Sequence, residues 1–149
     1  MKIKAKLRVD KKAYYNHLCE GIINDIKKNT RALIILKELE EGYIYKKKML
    51  YKKKPIYLDM KVGPLVKDKF FIVSYETIDT ICTYSYDFIS ESDGDYVIYT
   101  EDNHYKEATF LNQLGDFKRK LKAKSIQNKA FNNIELTQKY IEKKENEKC

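Results

Sequence analysis

Ile81-Cys82-Thr83-Tyr84-Ser85-Tyr86-Asp87-Phe88-Ile89-Ser90-Glu91-Ser92-Asp93-Gly94-Asp95-Tyr96-Val97-Ile98-Tyr99-Thr100-Glu101 is the stretch on which the fold turns. Aromatic and β-branched residues recur at every second position on both sides of Asp93-Gly94, a dipeptide that favours tight hairpin turns. The reading is two antiparallel strands, 81–89 and 96–101. If Asp93-Gly94 fills a two-residue turn, Ser92 pairs with Asp95, Tyr86 faces Glu101 and Phe88 faces Tyr99. Tyr84 and Val97 then share that face.

Upstream, the same period of two marks strands at 43–51, 56–62 and 70–76, punctuated by Pro55 and Gly63-Pro64. Short connections between successive strands imply an antiparallel meander. At the start, residues 2–9 alternate Lys2, Lys4, Lys6 and Arg8 with Ile3, Ala5, Leu7 and Val9, giving a half-buried strand with a basic outer face. Asp10 then reads as an N-cap, and Tyr14, Leu18, Ile22 and Ile26 form the stripe of an amphipathic helix. Gly21 is a candidate break, so this segment holds one or two short helices. Residues 31–41 suggest a further short helix stopped by Gly42, with a buried strand as the alternative. From about Ala108 to Lys144 the pattern is helical. Phe110, Leu114, Phe117 and Leu121 make one stripe, which Ile126, Ala130, Ile134 and Ile141 continue. Residues 143–149 are expected to fray.

The whole-chain quantities set bounds. The 149 residues form one domain by length, residues 1–149, and 43% hydrophobic residues suffice for a core. Tyr reaches 13 while Trp is absent, a composition suited to strands and amphipathic cavity walls. Cys19, Cys82 and Cys149 are odd in number and form no CxxC pair, which fits reduced thiols and a cytoplasmic location. No continuous apolar segment resembles a secretory signal, and none approaches the roughly 18 residues of a membrane-spanning helix.

A lone opening strand, a helical segment, a meander and a long closing helix is the element order of the helix-grip fold. The chain resembles the START-like (SRPBCC) superfamily, and within it a small family of uncharacterised bacterial proteins. The resemblance is carried by Lys2-Ile3-Lys4 followed by Tyr14-Tyr15, by Thr83-Tyr84-Ser85-Tyr86-Asp87, by Tyr99-Thr100-Glu101-Asp102 and by Tyr140-Ile141-Glu142. It implies an α+β fold in which a curved antiparallel sheet grips the C-terminal helix, with a cavity between them where relatives bind lipids, hormones or aromatic compounds. No catalytic motif transfers with it, and fold does not decide function.

Charge is segregated. Between Phe70 and Tyr105 there are eight acids and no Lys or Arg, whereas the remainder holds 30 basic and 14 acidic residues, a net +16 within an overall +8. Either the basic surface meets an anionic partner, or acidic and basic strands pair internally, and internal pairing is the favoured reading. The run 46–54 carries six lysines around Met49-Leu50-Tyr51 and no Arg. It suits phosphate or membrane contact, and equally a strand edge protected by lysine. Glu101, Asp102, His104 and Glu107 have metal-ligand types without metal-site spacing, so a solvated strand end is the better reading. His17 reads as partly exposed packing, and Cys19 and Cys82 as small apolar core residues. No nucleophile motif, phosphate-binding glycine loop or zinc motif is present.

These observations point to a non-catalytic domain that binds a small apolar or aromatic ligand, with no cofactor or metal. Tyr75, Tyr86, Tyr99 and Glu101 are the expected sheet side of the site, and Leu114, Phe117 and Leu121 its lid side. The alternative is a basic-surface module contacting nucleic acid, anionic membrane or an acidic protein. A small hydrolase or cyclase is a third reading.

Overall fold

The computed structural model describes residues 1–106 and 120–148. The described elements run β1 (Lys2–Lys6), α1 (Lys11–Thr30), a 3-10 turn at Leu36–Glu38, β2 (Ile44–Tyr51), β3 (Lys54–Val66), β4 (Phe70–Glu76), β5 (Thr80–Glu91), β6 (Gly94–Tyr105) and α2 (Ala123–Glu147). The six strands form one antiparallel sheet in the order β1-β6-β5-β4-β3-β2. Strands β2 to β6 are the expected meander. β1, far away in sequence, closes the sheet beside β6.

The period of two decides which face is buried. Ala5, Val97, Phe88, Phe71, Val73, Val62, Met60 and Leu58 occupy alternate strand positions and turn to one face, where they form the core. The two helices cover that face. Tyr14 and Tyr15 of α1 pack edge-on against Phe88 and Phe71, with Tyr14 to Phe88 at 5.7 Å between ring centres.

α1 starts as its sequence dictates. The Asp10 side chain accepts a hydrogen bond from the Lys12 N–H at 2.8 Å. Gly21 does not break it. The helix continues for 20 residues, and Gly21 lies on the exposed side with nothing near the place of a Cβ. Arg31 ends the helix in the left-handed conformation, φ 60°, its N–H returning to the Lys27 carbonyl.

Beyond Arg31 the expected helix over 31–41 does not form. Only the 3-10 turn at Leu36–Glu38 appears, capped by the Glu38 side chain accepting from the Ile35 N–H at 2.8 Å. A helix this short has too few internal bonds to offset nucleation, and Leu33 and Ile35 stay exposed rather than supplying a packed face.

Two further expectations are corrected in the strands. Gly63-Pro64 bends β3 through a bulge between Val62 and Leu65 instead of ending it. A Cβ at Gly63 would sit 3.0 Å from the Ile72 side chain, so the bulge needs glycine for close approach. The β5–β6 turn is Ser92-Asp93, with Glu91 opposite Gly94, so Tyr86 faces Tyr99 and Phe88 faces Val97. Gly94, at φ +140°, supplies its special geometry just after the turn rather than inside it.

α2 begins at Ala123 after a turn at Lys122 and continues to Glu147, beyond the expected fraying point at Lys143. Residues 108–119 of the expected helix lie outside the described residues. Ile134, Gln138 and Ile141 are its buried positions. Gln138 is 0% exposed. Its Oε1 accepts from the Arg8 N–H at 2.7 Å, and its Nε2 donates to the Lys6 carbonyl at 3.4 Å. Outside this contact, the Arg8 guanidinium pairs with Glu135 at 2.7 Å and Glu142 at 3.0 Å.

Internal pairing answers part of the charge segregation. Glu91 pairs with Lys4, Asp93 with Lys6 at 3.4 Å, and Glu76 with Lys106. These pairs are solvent-exposed and contribute little individually.

Replacing Gly21 by Ala is expected to stabilise the fold by about 0.5–1 kcal/mol, read from the urea midpoint, because the site is helical, exposed and unobstructed. Gln138→Leu is expected to destabilise it by about 1–3 kcal/mol in the same measurement, since the Arg8 N–H loses its acceptor in a part-buried contact.

Candidate functional site

The inner face carries a row of tyrosines across β4, β5 and β6. Register sets it. Val73 lies opposite Tyr84, Phe71 opposite Tyr86, Tyr86 opposite Tyr99 and Tyr84 opposite Glu101. Tyr86 and Tyr99 rings are 5.0 Å apart, Tyr84 stacks on Tyr99 at 6.3 Å with 15° between planes, and Tyr75 meets Tyr84 at 5.9 Å. The row continues into α1, where Tyr14 lies 6.4 Å from Tyr86.

Between this row and the helices is a cleft of about 440 Å³. Tyr84, Tyr86, Tyr99 and Glu101 form its floor; Tyr14, His17 and Leu18 of α1 form one wall. Ile126, Lys129, Ala130, Asn133, Ile134 and Thr137 of α2 form the other. Glu101 and Ile126 also line an adjoining recess of about 310 Å³ with Met1, Asn103 and Gln127. There the Asn103 Oδ1 is buried with no hydrogen-bond partner among the described residues.

The sequence-predicted residues distribute as follows. Tyr86, Tyr99 and Glu101 come together in the cleft. Tyr75 lies on the same face, in a neighbouring groove that shares Tyr84 with the cleft. Leu121 is 72% exposed and does not line the cleft, and Leu114 and Phe117 lie outside the described residues. The α2 wall instead uses the continuation of the same stripe from Ile126 onward. Sequence reasoning set Tyr14 and Leu18 on the apolar stripe of α1 and His17 as partly exposed packing, and assigned none of them to the site. Their spacing, with i and i+4 flanking i+3, was the available signal that they share one helix surface.

Burial controls the protonation of these groups. It pushes the Tyr86 phenol up to about 12, with the Glu101 carboxyl adding to the effect. Burial likewise raises Tyr84, Tyr99 and Tyr14 well above the ordinary phenol value; Tyr86 reinforces it at Tyr99 and Tyr14. The phenols are therefore neutral hydrogen-bonding groups near pH 7, with too little phenolate to act as bases. The Tyr99 hydroxyl donates to Glu101 Oε2 at 3.4 Å. His17 lies 5.3 Å from the Tyr140 ring; burial lowers its pKa, partly opposed by Glu20 and assisted by Lys144.

Among the expected metal-type residues, Glu101 turns to the inner face while Asp102 and His104, one and three positions on, turn to the other; Glu107 lies outside the described residues. No group of three metal-ligating side chains occurs among the described residues. Cys19 and Cys82 are buried reduced thiols, as small apolar packing requires. No described helix is long and apolar enough to cross a membrane.

The sequence profile of DUF3284, a domain of unknown function, matches residues 1–122. The chain belongs to the DUF3284 family. No curated protein matches it. Among solved structures, this DUF3284 chain is similar to Ara h 8.0201, at a TM-score of 0.60 with 11% identity over 95% of each chain. It is similar to SA2116, a protein of unknown function from Staphylococcus aureus, at 0.60 and 14%, covering 99% of this chain and 94% of that one. NE0264 from Nitrosomonas europaea follows at 0.56 and 13%, covering 97% and 94%. This DUF3284 chain thus shares the fold of Ara h 8.0201, a curved antiparallel sheet gripping a long C-terminal helix.

The raised phenols give a pH test. The unfolded chain releases phenolic protons near pH 10, whereas folded Tyr86 holds its proton to about 12. Stability is thus fully present below pH 10 and is lost as pH rises from there through 12. The urea midpoint should fall over that window, and fall less steeply in Tyr86→Phe.

Proposed function

We propose that this domain binds a small apolar or aromatic molecule in the cleft between the sheet and α2, without transforming it. The observation that carries this reading is the cleft's make-up: about 440 Å³ walled by tyrosine rings, with Glu101, Asn133, Thr137 and Lys129 as scattered polar groups. Aromatic walls bury a flat apolar body, and a few polar groups fix its orientation. Its size suits a drug-sized ligand. Phenols held neutral supply hydrogen bonds that can orient a bound molecule.

α1 divides the space. Tyr14, Tyr15 and Phe88 fill the end nearest the turn of β5–β6, and the open part lies toward Tyr84, Glu101 and the start of α2. A ligand therefore contacts Tyr84, Tyr99 and Ala130 before it reaches the packed core.

Titration with the fluorescent dye anilinonaphthalene sulfonate tests this. Saturable binding, displaced by small aromatic compounds, is expected. Ala130→Trp puts a bulky ring into the cleft and gives the Trp-free chain a single reporter, and it should weaken dye binding about tenfold or more while circular dichroism stays unchanged. Dye binding that is unaltered in a folded Ala130→Trp protein would place the ligand elsewhere and sink the reading.

A further inference from the structure

The β2–β3 hairpin extends beyond the sheet. β4 reaches β3 only as far as Asp59, opposite Glu76, yet β2 and β3 go on pairing to Tyr51 and Lys54. The five residues beyond Asp59, Leu58 to Lys54, make a two-stranded arm about 17 Å long. All ten residues 48–57 are exposed.

The composition of the arm is unusual for a solvated tip. Leu50 is 73% exposed, Tyr57 64% and Tyr51 60%, with Met49 and Ile56 also at the surface. Lys48, Lys52, Lys53 and Lys54 surround them, with no acid in the stretch, and none of the four has an ion-pair partner among the described residues. Lower on the hairpin the pattern differs: Lys46 lies 3.9 Å from Asp59 and Lys47 3.0 Å from Asp25. The cationic charge left without a protein counter-charge is thus concentrated at the apolar end.

The turn adds a second observation. Lys52 and Lys53 both adopt left-handed backbone, φ 48° and 63°. A two-residue turn of this kind is the ordinary place for Asn and Gly, so turn chemistry alone does not select two lysines. A third observation extends the surface sideways. The Lys48 N–H donates to Asn29 Oδ1 at 3.1 Å, which sets the end of α1, with Lys27, Lys28 and Arg31, beside the arm.

We infer that the β2–β3 arm is a docking element for an anionic lipid surface, with Leu50, Tyr51 and Tyr57 entering the headgroup boundary and the tip lysines meeting lipid phosphates and carboxylates. Apolar and aromatic side chains ringed by lysine are the composition that partitions into such an interface. Nucleic acid suits it less well. The tip has no Arg for bidentate phosphate or base contacts, and Leu50, Met49 and Ile56 gain nothing from a phosphate backbone. The proposal does not depend on what fills the tyrosine cleft.

Co-sedimentation of the full chain with vesicles tests it. One set is phosphatidylcholine alone and the other adds phosphatidylserine. Binding to the serine-containing vesicles at low salt, falling as salt rises, is expected. Lys52→Asn with Lys53→Asn keeps residues suited to left-handed backbone and should weaken binding by about fivefold per lysine. Leu50→Ser with Tyr57→Ser should weaken it as well, with the salt dependence unchanged. Lack of binding to anionic vesicles at low salt overturns the proposal. So does a short DNA duplex displacing the protein from vesicles while the Leu50→Ser, Tyr57→Ser protein binds as well as the parent, because contact is then electrostatic alone.

Discussion

One buried amide holds the two ends of the chain together. Gln138 sits in the middle of the apolar stripe of α2, between Ile134 and Ile141, and bonds to the backbone on either side of Leu7. The backbone groups of an edge strand that face away from its neighbour have no ladder partner, and covering them unpaired is costly. Gln138 satisfies them and thereby fixes where α2 crosses the sheet. The position of α2 sets the cleft's far wall, through Ile126, Ala130 and Ile134. Arg8, with Glu135 and Glu142, repeats the same attachment in solvent. The cleft is therefore a consequence of a polar contact outside it.

Much of the fold is legible in the alternation of the strands. β4 lies where the pattern sets it, and the tyrosine face survives even though the hairpin turn differs from the one Asp93-Gly94 suggests. The observed pairing is displaced by two residues, and a displacement of two leaves every side chain on its own face. Local turn preference fixes register less firmly than burial fixes facing. This is why Tyr84, Tyr86, Tyr99 and Glu101 meet on one surface although Tyr86 has Tyr99, not Glu101, as its neighbour.

The parts that escaped sequence reading are those set by distant contacts. Residues 31–41 have helical composition, but Arg31 has already closed α1 and nothing covers Leu33 or Ile35 to reward a new helix. Gly21 reads as a break, yet an exposed helical glycine costs only about 1 kcal/mol, which the packing of Tyr14, Cys19 and Ile26 outweighs. Gln138 gave a faint signal, a polar residue at a stripe position. Its partner could not be named without knowing that β1 returns to the sheet. The same ignorance hid Tyr14, His17 and Leu18, which reach the cleft only because α1 crosses the tyrosine row.

The return of β1 also shapes how the chain reaches this structure. Strands β2 to β6 are joined by short turns, so each pairing closes a small loop. Lys2 opposite Thr100 and Arg8 bonded to Gln138 join residues 98 and 130 positions apart. Long loops are slow to close, and their entropy is repaid only when both ends are fixed. The meander is the natural early unit of folding. By the same loop-closure argument β1 and α2 are expected to dock after the meander, so that the cleft forms only once both are in place.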